Sequence, residues 1–269
     1  GAGGSPPPPA AIVTTPQEGL RTDGFAEVIA EDGGRERLAG HLPRDLPPGY
    51  HRLVTPDGDE RDLVLSPGSC FLPEGMSIWG WAAQLYSLRS ASSWGIGDLS
   101  DLAELGRWAA ATGARAVMVN PLHAPLPVPS QQPSPYFPSS RCFRNPLYLD
   151  LERVPGAETL EDFDTFVQSG RALSSKPTID RDEIYELKMA ALERLWRPDA
   201  TLPDFDAFCT QRGELVWSYA TFAALAEHHG TGPSGWPTGF ESPDAVKVRT
   251  WAREHAERVR FHAWIQWLL

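Results

Sequence analysis

The segment Ala116-Val117-Met118-Val119-Asn120-Pro121-Leu122-His123 decides the fold of this chain. Its apolar residues predict a buried parallel strand, which the Asn-Pro pair ends. A long loop follows and carries Ser134-Pro135-Tyr136, before the segment Asn145-Pro146-Leu147-Tyr148-Leu149-Asp150. Enzymes built from alternating strands and helices place substrate contacts in loops at this position. The segment therefore predicts a β/α enzyme with its site at the end of this strand.

The residues before this strand complete one βαβ unit. The stretch 78–86 predicts a first strand, and Asp98 is placed to cap a helix that Gly113 ends. Apolar residues recur at helical spacing between them, at Leu99, Leu102, Leu105 and Ala109. The connection is long enough for a right-handed parallel crossover.

The regions on both sides of this unit differ from it in pattern. Residues 1–18 are rich in Gly and Pro and predict a disordered linker. Residues 19–75 contain short alternating runs between turns and predict a small antiparallel, β-sandwich-like domain, either glycan-binding or only a packing module. Strand signals fade after Asp150, and residues 155–269 predict a helical insertion that ends before a barrel could close. Three helices are predicted in this insertion. The first is capped by Asp180 and has a buried stripe of Ile184, Leu187, Ala191 and Leu195. The other two extend over residues 213–228 and 244–269.

The composition excludes several classes of partner. The 24 Lys and Arg residues are outnumbered by 35 Asp and Glu residues, and the net charge of -11 argues against nucleic acid and anionic lipid. No apolar run approaches the roughly 20 residues that cross a bilayer. Cys70, Cys142 and Cys209 lack metal-ligand spacing, which predicts reduced, part-buried thiols and a cytoplasmic location. The substrate is expected to be neutral.

Five separated motifs give the chain a family resemblance. They are residues 81–90, Ser93-Trp94-Gly95-Ile96-Gly97-Asp98, Asn120-Pro121-Leu122-His123, Ser134-Pro135-Tyr136-Phe137-Pro138-Ser139-Ser140-Arg141 and Asn145-Pro146-Leu147-Tyr148. In this order and spacing they resemble the 4-α-glucanotransferases, also called amylomaltases or disproportionating enzymes. The likeness extends over about residues 46–269 and is strongest over residues 77–151.

The resemblance implies the start of a (β/α)8 TIM barrel over residues 76–154 and an enzyme that passes α-1,4-glucan segments between maltodextrins without a cofactor. Such an enzyme is retaining, with an Asp nucleophile and a Glu acid/base roughly 5 Å apart. In that family these residues and a second Asp follow an Arg-x-Asp-His type motif, which this sequence lacks. The catalytic carboxylates are therefore expected beyond residue 269, and the isolated chain is expected to be inactive and to aggregate.

The resemblance also assigns two substrate contacts within the chain. It implies that Tyr136 stacks on the sugar next to the scissile bond and that Ser134 is a polar contact to the same ring. Loop packing is the alternative explanation for both residues. Asp98 is explained by its role as a helix cap, and Asn120 and Asn145 sit beside prolines where structural roles are favoured.

The other polar candidates are weaker. His123 follows a strand, but no Ser, Cys or carboxylate is demonstrably paired with it, so a scaffold role is favoured over catalysis. The pairs His228-His229 and His255/His262 lack a third metal ligand at suitable spacing. Arg89 and Arg141 are expected to anchor loop backbone or a carboxylate rather than a phosphate.

Two other functions fit the same residues. A noncatalytic α-glucan-binding protein would keep the groove without the chemistry. A related starch hydrolase would use water as the acceptor and release glucose without longer maltodextrins. A reading frame that continues into a Gly-Leu-Arg-x-Asp-His type motif would favour the transferase over the binding protein.

Overall fold

The computed structural model describes residues 11–269, which form two compact units with a boundary after Ser77. Most of the predicted linker, residues 1–10, lies outside the described residues. Across residues 11–269, every helix is too short or too polar to cross a membrane.

The first unit is built on one five-stranded sheet with the strand order β1-β5-β4-β2-β3. The strands are β1 (Ala11–Thr14), β2 (Glu27–Ile29), β3 (Arg35–Arg37), β4 (Gly49–Val54) and β5 (Glu60–Leu65). All pairs are antiparallel except β1 with β5. Val28, Leu53 and Leu63 form the buried core of this unit.

Two predictions for this unit are wrong. Residues 11–14 were expected to belong to a disordered linker, but they form β1 and pair in parallel with β5. The described residues of this unit, 11–77, also form a single sheet rather than a sandwich. Strand β1 forms because β5, distant in sequence, supplies hydrogen-bond partners that local composition does not reveal.

The second unit begins with the predicted βαβ arrangement. Strand β6 (Gly80–Ala83) is parallel to β7 (Ala116–Val119), and helix α1 (Leu99–Ala111) connects them. The cap is confirmed, because the Asp98 carboxylate accepts hydrogen bonds from the backbone N–H groups of Ser100 and Asp101. The first strand is shorter than predicted.

The prediction that β7 is a buried strand is wrong for the described residues. The side chain of Met118 is 69% exposed, and Trp81 on the neighbouring strand is also exposed. Within residues 11–269, β7 pairs only with β6, so one edge and much of this small sheet are not covered. The run of apolar residues is that of a strand in a larger parallel sheet, whose faces are normally covered.

Apart from short 3-10 helices, the rest of the second unit consists of a hairpin and six α-helices. Strands β8 (His123–Ala124) and β9 (Ser140–Arg144) form the hairpin. The helices are α2 (Phe163–Leu173), α3 (Arg181–Leu195), α4 (Pro203–Arg212), α5 (Glu214–His229), α6 (Val246–Glu254) and α7 (Ala256–Leu268). The single helix predicted over residues 244–269 is wrong, because the backbone at His255 (φ −113°, ψ 30°) leaves the helical range and separates α6 from α7.

The helices share one core with the hairpin. Phe143 of β9 stacks on Tyr219 of α5 with ring centroids 4.0 Å apart. The side-chain amide of Gln266 in α7 donates to the Arg144 carbonyl and accepts from the Arg144 N–H, both at 2.9 Å. Burial and these paired hydrogen bonds fix the hairpin against the helical layer.

An ionic cluster joins three of the helices. Arg258 of α7 binds Glu227 of α5 through two nitrogens and also donates to Glu193 of α3 at 2.8 Å. The buried His262 lies 3.2 Å from Glu227. Burial would raise the pKa of Glu227, but the hydrogen bonds from Arg258 and His262 prevail and lower this pKa to about 2. Burial lowers the pKa of His262 and keeps the imidazole neutral.

Acid is expected to destabilise the protein in two stages because of this cluster. Below pH 6.5 the unfolded chain takes up a proton at His262 that the folded protein resists. Between pH 4.5 and about 2, protonation of Glu227 removes its contribution, which is about 3 kcal/mol for such a pKa shift. Urea unfolding at pH 7, 5.5 and 3 measures both stages.

The variant Glu227→Gln supplies the control. It keeps the size of the side chain but cannot ionise, so the decline between pH 4.5 and 2 is expected to be shallower than in the parent protein. Equal slopes for the two proteins would show that Glu227 does not link stability to pH.

Candidate functional site

The loop of residues 125–139, between β8 and β9, carries both predicted substrate contacts. Tyr136 is 68% exposed, and its neighbour Phe137 is 72% exposed. These two adjacent and largely exposed rings form an apolar surface open to a ligand. The structure thus places Tyr136 where a flat apolar face can pack on its ring.

Ser134 shapes the turn that presents Tyr136. Its hydroxyl oxygen accepts from the N–H of Tyr136 at 3.4 Å, and its carbonyl accepts from the N–H of Phe137 at the same distance. The N–H of Ser134 donates to the side-chain oxygen of Gln132 at 3.1 Å. The hydroxyl proton of Ser134 is not used in these bonds and remains able to donate.

The base of the loop is fixed by hydrogen bonds. The hydroxyl of Ser139 donates its one proton to the carbonyl of Pro125 at 2.8 Å or to that of Ala124 at 3.1 Å. The buried Gln131 donates its side-chain amide to the carbonyls of Leu126 and Val128, at 3.2 and 2.8 Å. The exposed ring of Tyr136 therefore stands on a loop with a defined base.

Asn120 has the structural role that its position beside a proline favours. Its side-chain oxygen accepts from the N–H of Leu85 at 2.7 Å, which joins the ends of β6 and β7. Its amide donates to the hydroxyl of Tyr148 at 3.0 Å. Asn145 likewise accepts from the N–H of Leu147 and caps the short 3-10 helix there.

Lys188 holds the segment that follows the hairpin, and sequence reasoning missed it. Lys188 is 1% exposed, and its ammonium group donates to the carbonyls of Leu147 and Leu149, at 2.8 and 2.7 Å. A signal was present in the sequence, because Lys188 lies four residues after Ile184 and three before Ala191, in phase with the predicted buried stripe.

Lys188 and the carboxyl groups near it shift one another's pKa values. Burial lowers the pKa of Lys188 to about 8, against the attraction of Asp98, Asp150 and Asp101. Burial raises the pKa of Asp98 to about 6, and the Lys188 charge limits this rise. Perturbed groups of this kind occur at functional sites and in structural networks alike.

The carboxylates nearest β6 and β7 accept hydrogen bonds from backbone N–H groups. Asp98 accepts from the N–H groups at the start of α1, and Asp150 accepts from the N–H of Glu152 at 3.1 Å. These contacts explain both residues without catalysis. The arrangement around the loop can bind and orient a ring.

The other predicted candidates are dispersed. The Arg89 side chain donates to the carbonyls of Tyr86 and Leu88, at 3.3 and 3.0 Å, so the prediction that it anchors loop backbone is confirmed. Arg141 is exposed on β9. His123 lies half-buried in β8, opposite Arg144.

The paired histidines belong to aromatic and ionic contacts. The ring of His255 stacks on Trp251 at 4.0 Å and lies 5.8 Å from that of His228. His262 contacts Glu227. Among residues 11–269, no group of three or more His, Cys, Asp or Glu side chains could hold a metal ion.

All three cysteines are free thiols. Cys209 is buried, whereas Cys70 and Cys142 are exposed, so the prediction of part-buried thiols is wrong for these two. Cys70 follows the Pro-Gly turn after β5 and Cys142 lies on the hairpin strand β9, where neighbouring described residues leave the side chains open.

Several known proteins similar to this chain are 4-alpha-glucanotransferases. The family model described as 4-alpha-glucanotransferase matches residues 83–269. A 4-alpha-glucanotransferase of Mycobacterium tuberculosis is 41% identical over 282 residues, covering 95% of this chain and 38% of that protein. A 4-alpha-glucanotransferase of Haemophilus influenzae is 33% identical over 253 residues, covering 83% of this chain and 36% of that protein.

A solved structure is also similar. It is the crystal structure of amylomaltase from Corynebacterium glutamicum, with a TM-score of 0.71 and 26% sequence identity, covering 98% of this chain and 42% of that one. The chain thus spans less than half the length of these relatives. The likeness supports a TIM-barrel enzyme fold with mixed sheets and helices.

Proposed function

The chain belongs to the 4-alpha-glucanotransferase family, and from this membership we propose that its protein transfers α-1,4-glucan segments between maltodextrins. The observation that carries the proposal is the family match together with the exposed Tyr136 on the anchored loop. A flat aromatic face presented to solvent suits the apolar C–H face of a glucose ring.

We propose that β6 and β7 are the first two strands of a (β/α)8 barrel within residues 76–154. Met118 supports this arrangement. It lies on the sheet face opposite Trp81, whose ring packs on Trp108 of α1, so residues of further strands would cover its exposed side chain inside a closed barrel. Residues 19–75 then form the preceding β domain, and residues 155–269 a helical insertion.

In this proposal Tyr136 stacks on the sugar beside the scissile bond, and Ser134 donates its free hydroxyl proton to the same ring. The turn bond between the Ser134 hydroxyl and the Tyr136 N–H keeps these groups together. A ring held in one orientation reaches the transition state with less loss of freedom, which is how a noncatalytic contact contributes to the rate.

The bond-breaking groups are proposed to lie outside residues 1–269, because the Arg-x-Asp-His type motif does not occur in this sequence. The chemistry proposed is retaining, with a carboxylate nucleophile, a carboxylic acid/base and no cofactor. The 269-residue chain alone is then proposed to be inactive in transfer and prone to aggregate. A cytoplasmic location is proposed from the three free thiols.

The test is to incubate maltotriose with the longest native polypeptide that contains this chain and to separate the products by length. Transfer is expected to give a ladder of longer maltodextrins. Glucose without the ladder would identify a hydrolase, and binding without either product would identify a noncatalytic glucan-binding protein. The 269-residue chain provides the comparison, and a ladder from it would contradict the placement of the carboxylates.

A further inference from the structure

A second concave surface lies in the helical part of the second unit, between α5, α6 and residues 230–245. It encloses about 400 Å³, which is within the range of roughly 300–1,000 Å³ typical of small-molecule sites. Trp217, Phe222, Trp236 and Phe240 contribute half-buried aromatic rings to it. We call this surface the α5–α6 groove.

The aromatic lining of the α5–α6 groove is held in place. The indole N–H of Trp236 donates to the carbonyl of Thr231 at 2.8 Å. The ring of Trp236 packs 5.8 Å from that of Phe222 at an interplanar angle of 48°. A ring restrained in this way can receive a flat ligand with little further loss of conformational freedom.

Polar side chains surround these rings. The hydroxyls of Ser218 and Thr221 line the α5 side, and the carboxylate of Asp244 and the guanidinium of Arg249 stand exposed at the rim. Neither of these two charged groups forms an ion pair within residues 11–269. The carboxylate, the two hydroxyls and the guanidinium together supply both hydrogen-bond acceptors and hydrogen-bond donors.

From this lining we propose that the α5–α6 groove is an auxiliary binding site for α-glucan, separate from the loop that carries Tyr136. Aromatic planes match the apolar faces of glucose rings, and the mixed rim matches their hydroxyls. Charges of both signs disfavour an anionic ligand, and a wholly apolar ligand would leave the rim groups without partners. The choice of glucan rests on the proposed function, whereas the site itself rests on the lining.

The test is a calorimetric titration of maltoheptaose into the longest native polypeptide containing this chain, in a Tyr136→Ala background that weakens the loop site. Adding Trp236→Ala is expected to raise the remaining Kd roughly tenfold, because stacking on one ring is lost. Adding Arg249→Ala is expected to raise it severalfold.

Arg253→Ala is the matched control for Arg249→Ala. Both arginines are exposed on α6, but only Arg249 lines the groove, and neither substitution disturbs the core. The proposal predicts an unchanged Kd for Arg253→Ala. If all the added substitutions leave the Kd unchanged, or if the Tyr136→Ala background has lost all binding, the groove is not a glucan site.

This outcome is distinguishable from failure of the proposed function. A ladder of maltodextrins with no effect of Trp236 or Arg249 on binding overturns only the auxiliary site. Binding that depends on both residues, in a protein that makes no ladder, supports the auxiliary site and contradicts the transferase.

Discussion

Replacement of Lys188 by methionine is expected to lower the free energy of unfolding by about 3 kcal/mol, since each buried carbonyl left without a donor costs roughly 1–3 kcal/mol. The two carbonyls are those of Leu147 and Leu149, which Lys188 binds at 2.8 and 2.7 Å. Methionine fills a similar volume, so the loss reflects the missing donors more than a cavity. Urea unfolding of both proteins at pH 7 measures the difference.

The substitution is also expected to change the titration of Asp98. The Lys188 charge opposes the effect of burial on this carboxyl, so its removal should move the Asp98 pKa above about 6. Carboxyl chemical shifts followed against pH in labelled protein measure this pKa. Lys176→Met is the control, because Lys176 is an exposed lysine paired with Glu183, and little change in stability is expected. A Lys188→Met protein as stable as its parent would show that the two carbonyls find other donors.

The sequence predicted those parts of the fold whose signals are local. Helix α1 has its cap at Asp98 and a stop at Gly113, and both signals act within one turn of the helix end. Helix α4 carried a similar signal, a proline at its first position, Pro203, which was overlooked. Strand β1 carried no local signal, because it exists through pairing with residues about fifty positions later.

The break between α6 and α7 could not be predicted in the same way. Residues 254–257 contain good helix formers and neither Gly nor Pro. At the break, His255 stacks on Trp251. His262, in the following helix α7, contacts Glu227 of α5. Tertiary contacts therefore compete here with a propensity that alone would continue the helix.

In the candidate site too, the residues that could be predicted are those with a local sequence signal. The structural role of Asn120 followed from its position beside a proline, and the hydrogen bonds to Leu85 and Tyr148 confirm it. The role of Tyr136 came from the family resemblance alone. Tyr136 lies in the loop segment Pro135-Tyr136-Phe137-Pro138, which has no periodic pattern from which a role could be predicted. The α5–α6 groove was not predicted, because it forms where α5, residues 230–245 and α6 pack together, and no local pattern reveals that packing.

Replacement of Tyr136 by alanine is expected to lower kcat/KM for transfer between maltodextrins roughly 10- to 100-fold, corresponding to about 1.4–2.7 kcal/mol of lost stacking and orientation. Because Tyr136 is 68% exposed, the same change should leave the free energy of unfolding within about 0.5 kcal/mol of the parent value. Initial rates with maltotriose and a urea titration, both on the longest native polypeptide that contains this chain, measure the two quantities.

Two substitutions separate stacking from other effects of Tyr136. Tyr136→Phe keeps the ring and should retain most of the activity. Tyr50→Ala removes a tyrosine that is 71% exposed in the first unit, and no comparable loss is expected. Full activity of Tyr136→Ala would contradict a substrate role and favour loop packing.

Ser134 can act on the sugar directly or through Tyr136, and a double-mutant cycle distinguishes these roles. Its hydroxyl accepts the Tyr136 N–H at 3.4 Å, so Ser134→Ala loosens the turn and also removes a donor from the site. If Ser134 only positions the ring, its substitution should have no further effect on kcat/KM in the Tyr136→Ala protein. If the hydroxyl contacts the sugar itself, the two effects should be close to additive in free energy. The same turn therefore gives a measurable difference between a residue that holds the aromatic ring and one that shares the ligand with it.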